Sequence, residues 1–272
     1  MTSGARHIVR FKPYQRAMHF VLFTSFLGLA ATGLPLMFSD RPWAGTLARG
    51  LGGIQMAGVL HRIFAVMLLA LFAGHLAELA WRLTRRKEHG LLWGPTSMIP
   101  QPHDAVQIWQ HVLWFVGKAA RPHFDRFTYW EKFDYWAVVW GMVIIGGSGL
   151  LLWFPEFFAT FFPGWIYNVA LILHGEEALL ATGFIFTIHF FNSHFRPEKF
   201  PMDMVMFTGR VTEEELRSER PAEYARMAND GTLDTLVSPP APGWLSLAGR
   251  VVGGAAVALG LVLLVFILVG TY

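Results

Sequence analysis

HRIFAVMLLALFAGH, residues 61–75, and HGEEALLATGFIFTIH, residues 174–189, are two apolar runs that each begin and end on histidine. Read as helices at 1.5 Å per residue, separations of fourteen and fifteen positions are close to four turns. Both members of a pair then face nearly the same side, ~21–23 Å apart along the axis. Imidazole in hydrocarbon is costly unless it is paired or coordinated, so such histidines are functional candidates, with a helix-to-helix hydrogen bond as the alternative role. Two histidines ~21 Å apart on one helix cannot share an ion, and zinc sites recruit cysteine or carboxylate at shorter spacings such as i, i+4. The geometry suits two haems stacked across a membrane. His19, at the opening of an earlier apolar run, is a fifth candidate ligand.

Composition agrees with a membrane setting. Of 272 residues, 54% are apolar and only 15% are charged, a balance that cannot clothe a soluble globule of this size. Cysteine is absent, which excludes covalent c-type haem, iron–sulfur clusters held by this chain and disulfides. The net charge of +3 arises in juxtamembrane loops, with no module for nucleic acid.

Five stretches approach the ~20 residues a membrane helix needs: 17–37, 54–81, 133–154, 166–191 and 245–270. The first follows Arg6, Arg10, Lys12 and Arg16, like a signal peptide. It is too long for a signal h-region and lacks a small-residue cleavage site, so it reads as a retained helix. The loop after the second run carries Arg82, Arg85, Arg86, Lys87, Lys118, Arg121, Arg126 and Lys132. The loop 155–165 has no basic residue, and the one after the first run has only Arg41 and Arg49. This bias places the N-terminus in the cytoplasm and the C-terminus outside, in a bacterial cytoplasmic membrane.

The expected fold is an all-α membrane protein: a four-helix haem-binding bundle over residues 1–195 plus a fifth helix over 245–272. Residues 104–118 read as an amphipathic helix in the interface plane. The charged, proline-containing stretch 196–244 reads as a cytoplasmic linker with a short surface helix. Gly28, Gly33, Gly58 and the third-run glycines Gly141, Gly146, Gly147 and Gly149 offer room for a macrocycle or for close packing. Gly249, Gly253, Ala256 and Gly260 in the fifth run read as helix packing. His7, His89, His103, His111 and His123 fall in loops or the interfacial helix and read as solvent-facing.

RHIVRFKPYQRAMH (6–19), Thr32-Gly33-Leu34-Pro35, Val59-Leu60-His61, EKFDYW (131–136), Ser148-Gly149, Leu173-His174 and His189 recur in order across residues 6–195. This series resembles the formate dehydrogenase cytochrome b (gamma) subunit and its hydrogenase and thiosulfate-reductase relatives. The resemblance implies two b haems, with His61 and His174 ligating the outer one and His19 and His189 the inner one. Paired histidines on the second and fourth helices also look like the cytochrome b/b6 group, where His75 would be the inner ligand in place of His19. In the formate dehydrogenase pattern the fourth-helix pair is fourteen apart, against fifteen in this chain.

Haem propionates need cations or donors near the headgroups, for which Arg16 and Arg62 are placed. The resemblance puts a quinone near the inner haem and the segment before the third helix. Thr128, Glu131 and His194 are the candidates for hydrogen bonding and proton supply there. The expected role is an electron-transfer subunit between an extracytoplasmic redox partner, iron–sulfur or c-type cytochrome, and the quinone pool. The rivals are a b6-like quinol-oxidising subunit delivering electrons to a c-type cytochrome, and a non-redox anchor whose histidines merely join helices.

Overall fold

The computed structural model describes residues 5–271. Among them, five helices are long and apolar enough to cross a membrane: Pro13–Met37, Ile54–Thr84, Tyr129–Trp153, Trp165–Phe195 and Gly243–Gly270. These are the first to fifth spans below. Their apolar side chains point largely outward, as lipid-facing helices require: Ala57 is the one residue of the second span counted as buried, and Val251, Val265 and Val269 of the fifth are more than half exposed.

The chain divides into two compact units. The helical unit comprises residues 17–75, 138–203 and those from 248 onward. Its core joins Leu27, Ala30 and Leu34 of the first span, Phe186 and Phe190 of the fourth, and Leu263 and Ile267 of the fifth. Gly260 makes that packing possible: a Cβ there would stand 2.7 Å from the Phe190 ring and 2.8 Å from Phe186. The small-residue face of the fifth span is thus a close helix contact at this position.

The other unit comprises the chain up to Arg16, residues 76–137 and residues 204–247. It holds three short strands, β1 (His7–Val9), β2 (Arg210–Thr212) and β3 (Val237–Ser238), with β1 central and antiparallel to both neighbours. Beneath them Ile8, Val211, Leu216, Met227 and Leu233 form a small core. Much of the stretch whose charge reads as a linker is therefore folded structure. Its charges are directed inward: Glu223, on the helix Pro221–Asn229, accepts from Arg10 at 2.5 Å and from Arg126 at 3.0 Å, and Arg226 donates to Asp125 at 2.6 Å. A linker and a domain built on buried ion pairs have similar composition, and only the pairing separates them.

Gly209 ends the short helix Val205–Thr208 at φ +76°, and a Cβ there would stand 2.6 Å from the Phe11 carbonyl oxygen. Left-handed backbone and close approach both require glycine. Gly209→Ala should therefore destabilise this unit by ~1–3 kcal/mol, read as easier proteolysis within 204–247 while the spectrum of the membrane spans is unchanged.

Residues Pro102–Phe115 form a helix, opened by a capping box between Gln101 and Asp104. Asp104 is buried and takes two hydrogen bonds from Lys132 Nζ, at 2.9 and 2.8 Å. Val106, Trp109 and Phe115 remain mostly exposed, an apolar face suited to the lipid boundary. His111 departs from the solvent-facing reading. It is 8% exposed, its Nδ1 lies 2.9 Å from the Tyr129 hydroxyl, and its ring stacks on Phe115. An imidazole packs as a flat aromatic once a phenol satisfies its polar edge.

Candidate haem-binding site

The third span starts at Tyr129, four residues before the apolar run, because Thr128-Tyr129-Trp130-Glu131 is a capping box. The Thr128 amide and hydroxyl donate to Glu131 Oε2 at 2.8 and 2.9 Å, and Glu131 Oε1 accepts from Arg220 at 2.8 Å. Thr128 is fully buried. Both quinone candidates on this segment are thus occupied in starting a helix and pairing with Arg220.

The outer histidines come together within the helical unit. His61 of the second span and His174 of the fourth have ring centres 6.2 Å apart, with planes at 74°. Two imidazoles each ~2 Å from one shared metal would have ring centres ~6 Å apart. Their far edges are both engaged. His61 Nδ1 lies 3.0 Å from Thr32 Oγ1 of the first span; His174 Nδ1 lies 3.0 Å from the Ile145 carbonyl and 3.3 Å from Ser148 Oγ of the third. Metal-ligating histidines characteristically give the second nitrogen to such a carbonyl or hydroxyl.

The glycines have more specific work than widening a pocket. A Cβ on Gly33 would stand 3.1 Å from His61 Cε1, and one on Gly149 would stand 3.0 Å from His174 Cε1. Each clears space for an imidazole. Gly28 lies against the Phe64 ring, where a Cβ would stand 2.5 Å from the nearest carbon, so it serves packing of the second span.

The donor set fits a b-type haem held by two imidazoles at this site, since both rings offer Nε2 and no competing sulfur or carboxylate is involved. His61 and His174 would be its axial ligands.

Lower in the spans, His19, His189 and His194 share one neighbourhood, near enough for charge on one to act on the others. His75 is half-buried on the second span. The fourth span is not uniformly α-helical: Ile185–His189 and Phe191–Phe195 are π segments. A π turn holds one more residue than an α turn. The first of these segments takes up the fifteenth residue between His174 and His189, so that His189 keeps the phase of a fourteen-residue pair. The second brings His194, five positions on, to the side of His189. No signal in the sequence marks the π segments except that odd spacing itself.

The two arginines expected near propionates are placed differently. Arg16 donates to the Phe207 carbonyl, inside the unit built on the strands. Arg62 is exposed, with its guanidinium 5.6 Å over the Trp153 ring.

No protein-family model matches the chain. Among curated proteins, the nitrate-inducible formate dehydrogenase cytochrome b556(Fdn) subunit of Escherichia coli strain K12 is 24% identical over 181 residues, covering 65% of this chain and 74% of that protein. The cytochrome b556(fdo) subunit of the same strain's formate dehydrogenase is 24% identical over 172 residues, covering 63% and 72%. The curated homologues of this five-span membrane chain are therefore formate dehydrogenase cytochrome b556 subunits.

Proposed function

We propose that the chain is a dihaem cytochrome b subunit that carries electrons between an extracytoplasmic redox partner and the membrane quinone pool. The homologues support the coarser part of this reading, a membrane cytochrome b in electron transfer. The observation that carries the finer part is the His61–His174 pair, two imidazoles at bis-ligand separation with both Nδ1 atoms already engaged. When bound, haem supplies one-electron chemistry that no side chain here performs.

The protein's share is ligation, orientation and exclusion of water. His61 and His174 hold the outer group, and His19 and His189 the inner one, with His75 as rival to His19. Ligands separated by about four turns on one helix set the two groups ~20 Å apart along the membrane normal, so two steps span the bilayer. At the inner end His194 is the quinone-facing candidate. It is an imidazole beside His189 whose buried Nδ1 has no hydrogen-bond partner, and so is available to a quinone oxygen. The N-terminus lies in the cytoplasm and the C-terminus outside, in the bacterial inner membrane, following the basic loops.

The test is haem per chain and a redox titration on purified protein, with His19→Ala and His75→Ala beside the unsubstituted chain. Two haems are expected, with the lower-lying one lost in His19→Ala and kept in His75→Ala. The reverse pattern transfers ligation to His75. A chemically reduced sample with no b-type spectrum sinks the redox reading in favour of a structural anchor.

A further inference from the structure

Two dipeptides, Thr32-Gly33 and Ser148-Gly149, treat the two outer imidazoles alike. In each the glycine lies against the imidazole Cε1, where a Cβ would stand 3.1 or 3.0 Å away. In each the hydroxyl donates backwards to a carbonyl of its own helix, Thr32 to Gly28 at 2.7 Å and Ser148 to Ile144 at 2.6 Å. A hydroxyl has one proton to give. Once that proton is on the carbonyl, the oxygen presents only lone pairs to the imidazole.

The tautomers follow. His61 Nδ1, 3.0 Å from Thr32 Oγ1, must bring the proton to that contact, and His174 Nδ1 faces the Ile145 carbonyl, which can only accept. Both rings are therefore protonated on Nδ1 and carry their lone pair on Nε2, the nitrogen left for a metal. A hydrogen bond accepted from Nδ1–H also makes the imidazole a stronger donor through Nε2. Stronger donation favours the ferric over the ferrous state.

On the ligation reading above, we propose that the two hydroxyl–glycine pairs are positioning elements for the outer haem: glycine admits the ring, and the hydroxyl, joined at His174 by the Ile145 carbonyl, accepts from Nδ1–H, aims Nε2 and lowers the haem's midpoint potential. The hydroxyls touch the ligands and never the iron, so they act through His61 and His174. Their effect belongs to the outer haem alone.

The experiment uses the full chain in native membranes and after purification, comparing Thr32→Val, Thr32→Ser, Ser148→Ala and the unsubstituted protein. Thr32→Val should keep both haems while raising one midpoint potential by ~59 mV, a tenfold change in the ferric-to-ferrous ratio. Release of that haem to an apoprotein acceptor should be ~10–100-fold more favourable. Thr32→Ser should restore both values, and the second potential should stay in place throughout. Ser148→Ala should move the same potential in the same direction. Should Thr32→Val fail to accumulate, Ser148→Ala decides: an unmoved outer potential there, with both haems bound, overturns the proposal, as would unmoved potentials in both variants. Absence of haem from the unsubstituted chain overturns the ligation reading instead.

Discussion

His174→Ala is expected to remove one b-type haem per chain and leave the other, turning a two-component redox titration into a single component. His174 supplies one of the two imidazoles paired at the outer site, with its ring centre 6.2 Å from that of His61. Nothing adjacent substitutes for it: the groups at its far edge are the Ile145 carbonyl and the Ser148 hydroxyl, held by their own helix. Alanine also leaves His61 tethered to Thr32 with its Nε2 facing no partner ligand. A five-coordinate remnant would show as a high-spin signal in electron paramagnetic resonance. Electron delivery to quinone, which on this reading needs both steps, should fall to background. Retention of two low-spin haems in His174→Ala would refute the pairing.

The second large effect is on folding of the unit built on the strands. Glu223 is 2% exposed and accepts from both Arg10, itself 7% exposed, and Arg126. Removing a buried carboxylate that pairs with two largely desolvated guanidiniums should cost ~3–5 kcal/mol, the usual price of breaking a buried pair from one side. Glu223→Gln keeps the shape and removes the charge, so it isolates the electrostatic part. The expected readout is release of residues 204–247 to protease at a lower temperature.

The same group predicts an acid limit. Burial pushes the Glu223 carboxyl up, but Arg10 and Arg126 outweigh it and hold it below the ordinary carboxylate value. A carboxyl whose folded pKa is depressed stabilises the fold fully above its unfolded value of ~4.3. That contribution is lost as pH falls through the folded value. Protease resistance of this segment should accordingly hold from neutrality to about pH 5 and decline below it, with a smaller decline in Glu223→Gln, where the Glu131–Arg220 pair remains.

How much was legible differs between the two units. Apolar runs of membrane length announce their helices because, in lipid, a chain must satisfy its own backbone and has few ways to do so. The paired histidines stood out for the same reason, since imidazole is rare and costly in that setting. The folded tail was hidden: EEELRSERPAEYARM shows its charges without showing that Glu223 lies between Arg10 and Arg126, more than ninety positions away in sequence. Thr128 and Glu131 show a related ambiguity. The pattern T-x-x-E reads equally as polar groups near a cofactor and as a helix start, and the hydrogen bonds show the helix start.

The sequence by itself determined that this chain has five helices fit to cross a membrane and carries histidines in spaced pairs within them, because hydrophobic length and the cost of buried imidazole are local properties. The tertiary structure alone decided which groups face Nδ1 of His61 and His174, that Gly33 and Gly149 serve those two rings, and that a π segment absorbs the extra residue before His189. Each of these depends on hydrogen bonds or van der Waals contacts between helices, or on a local change of helical pitch, and neither is encoded in the spacing of residues along one helix.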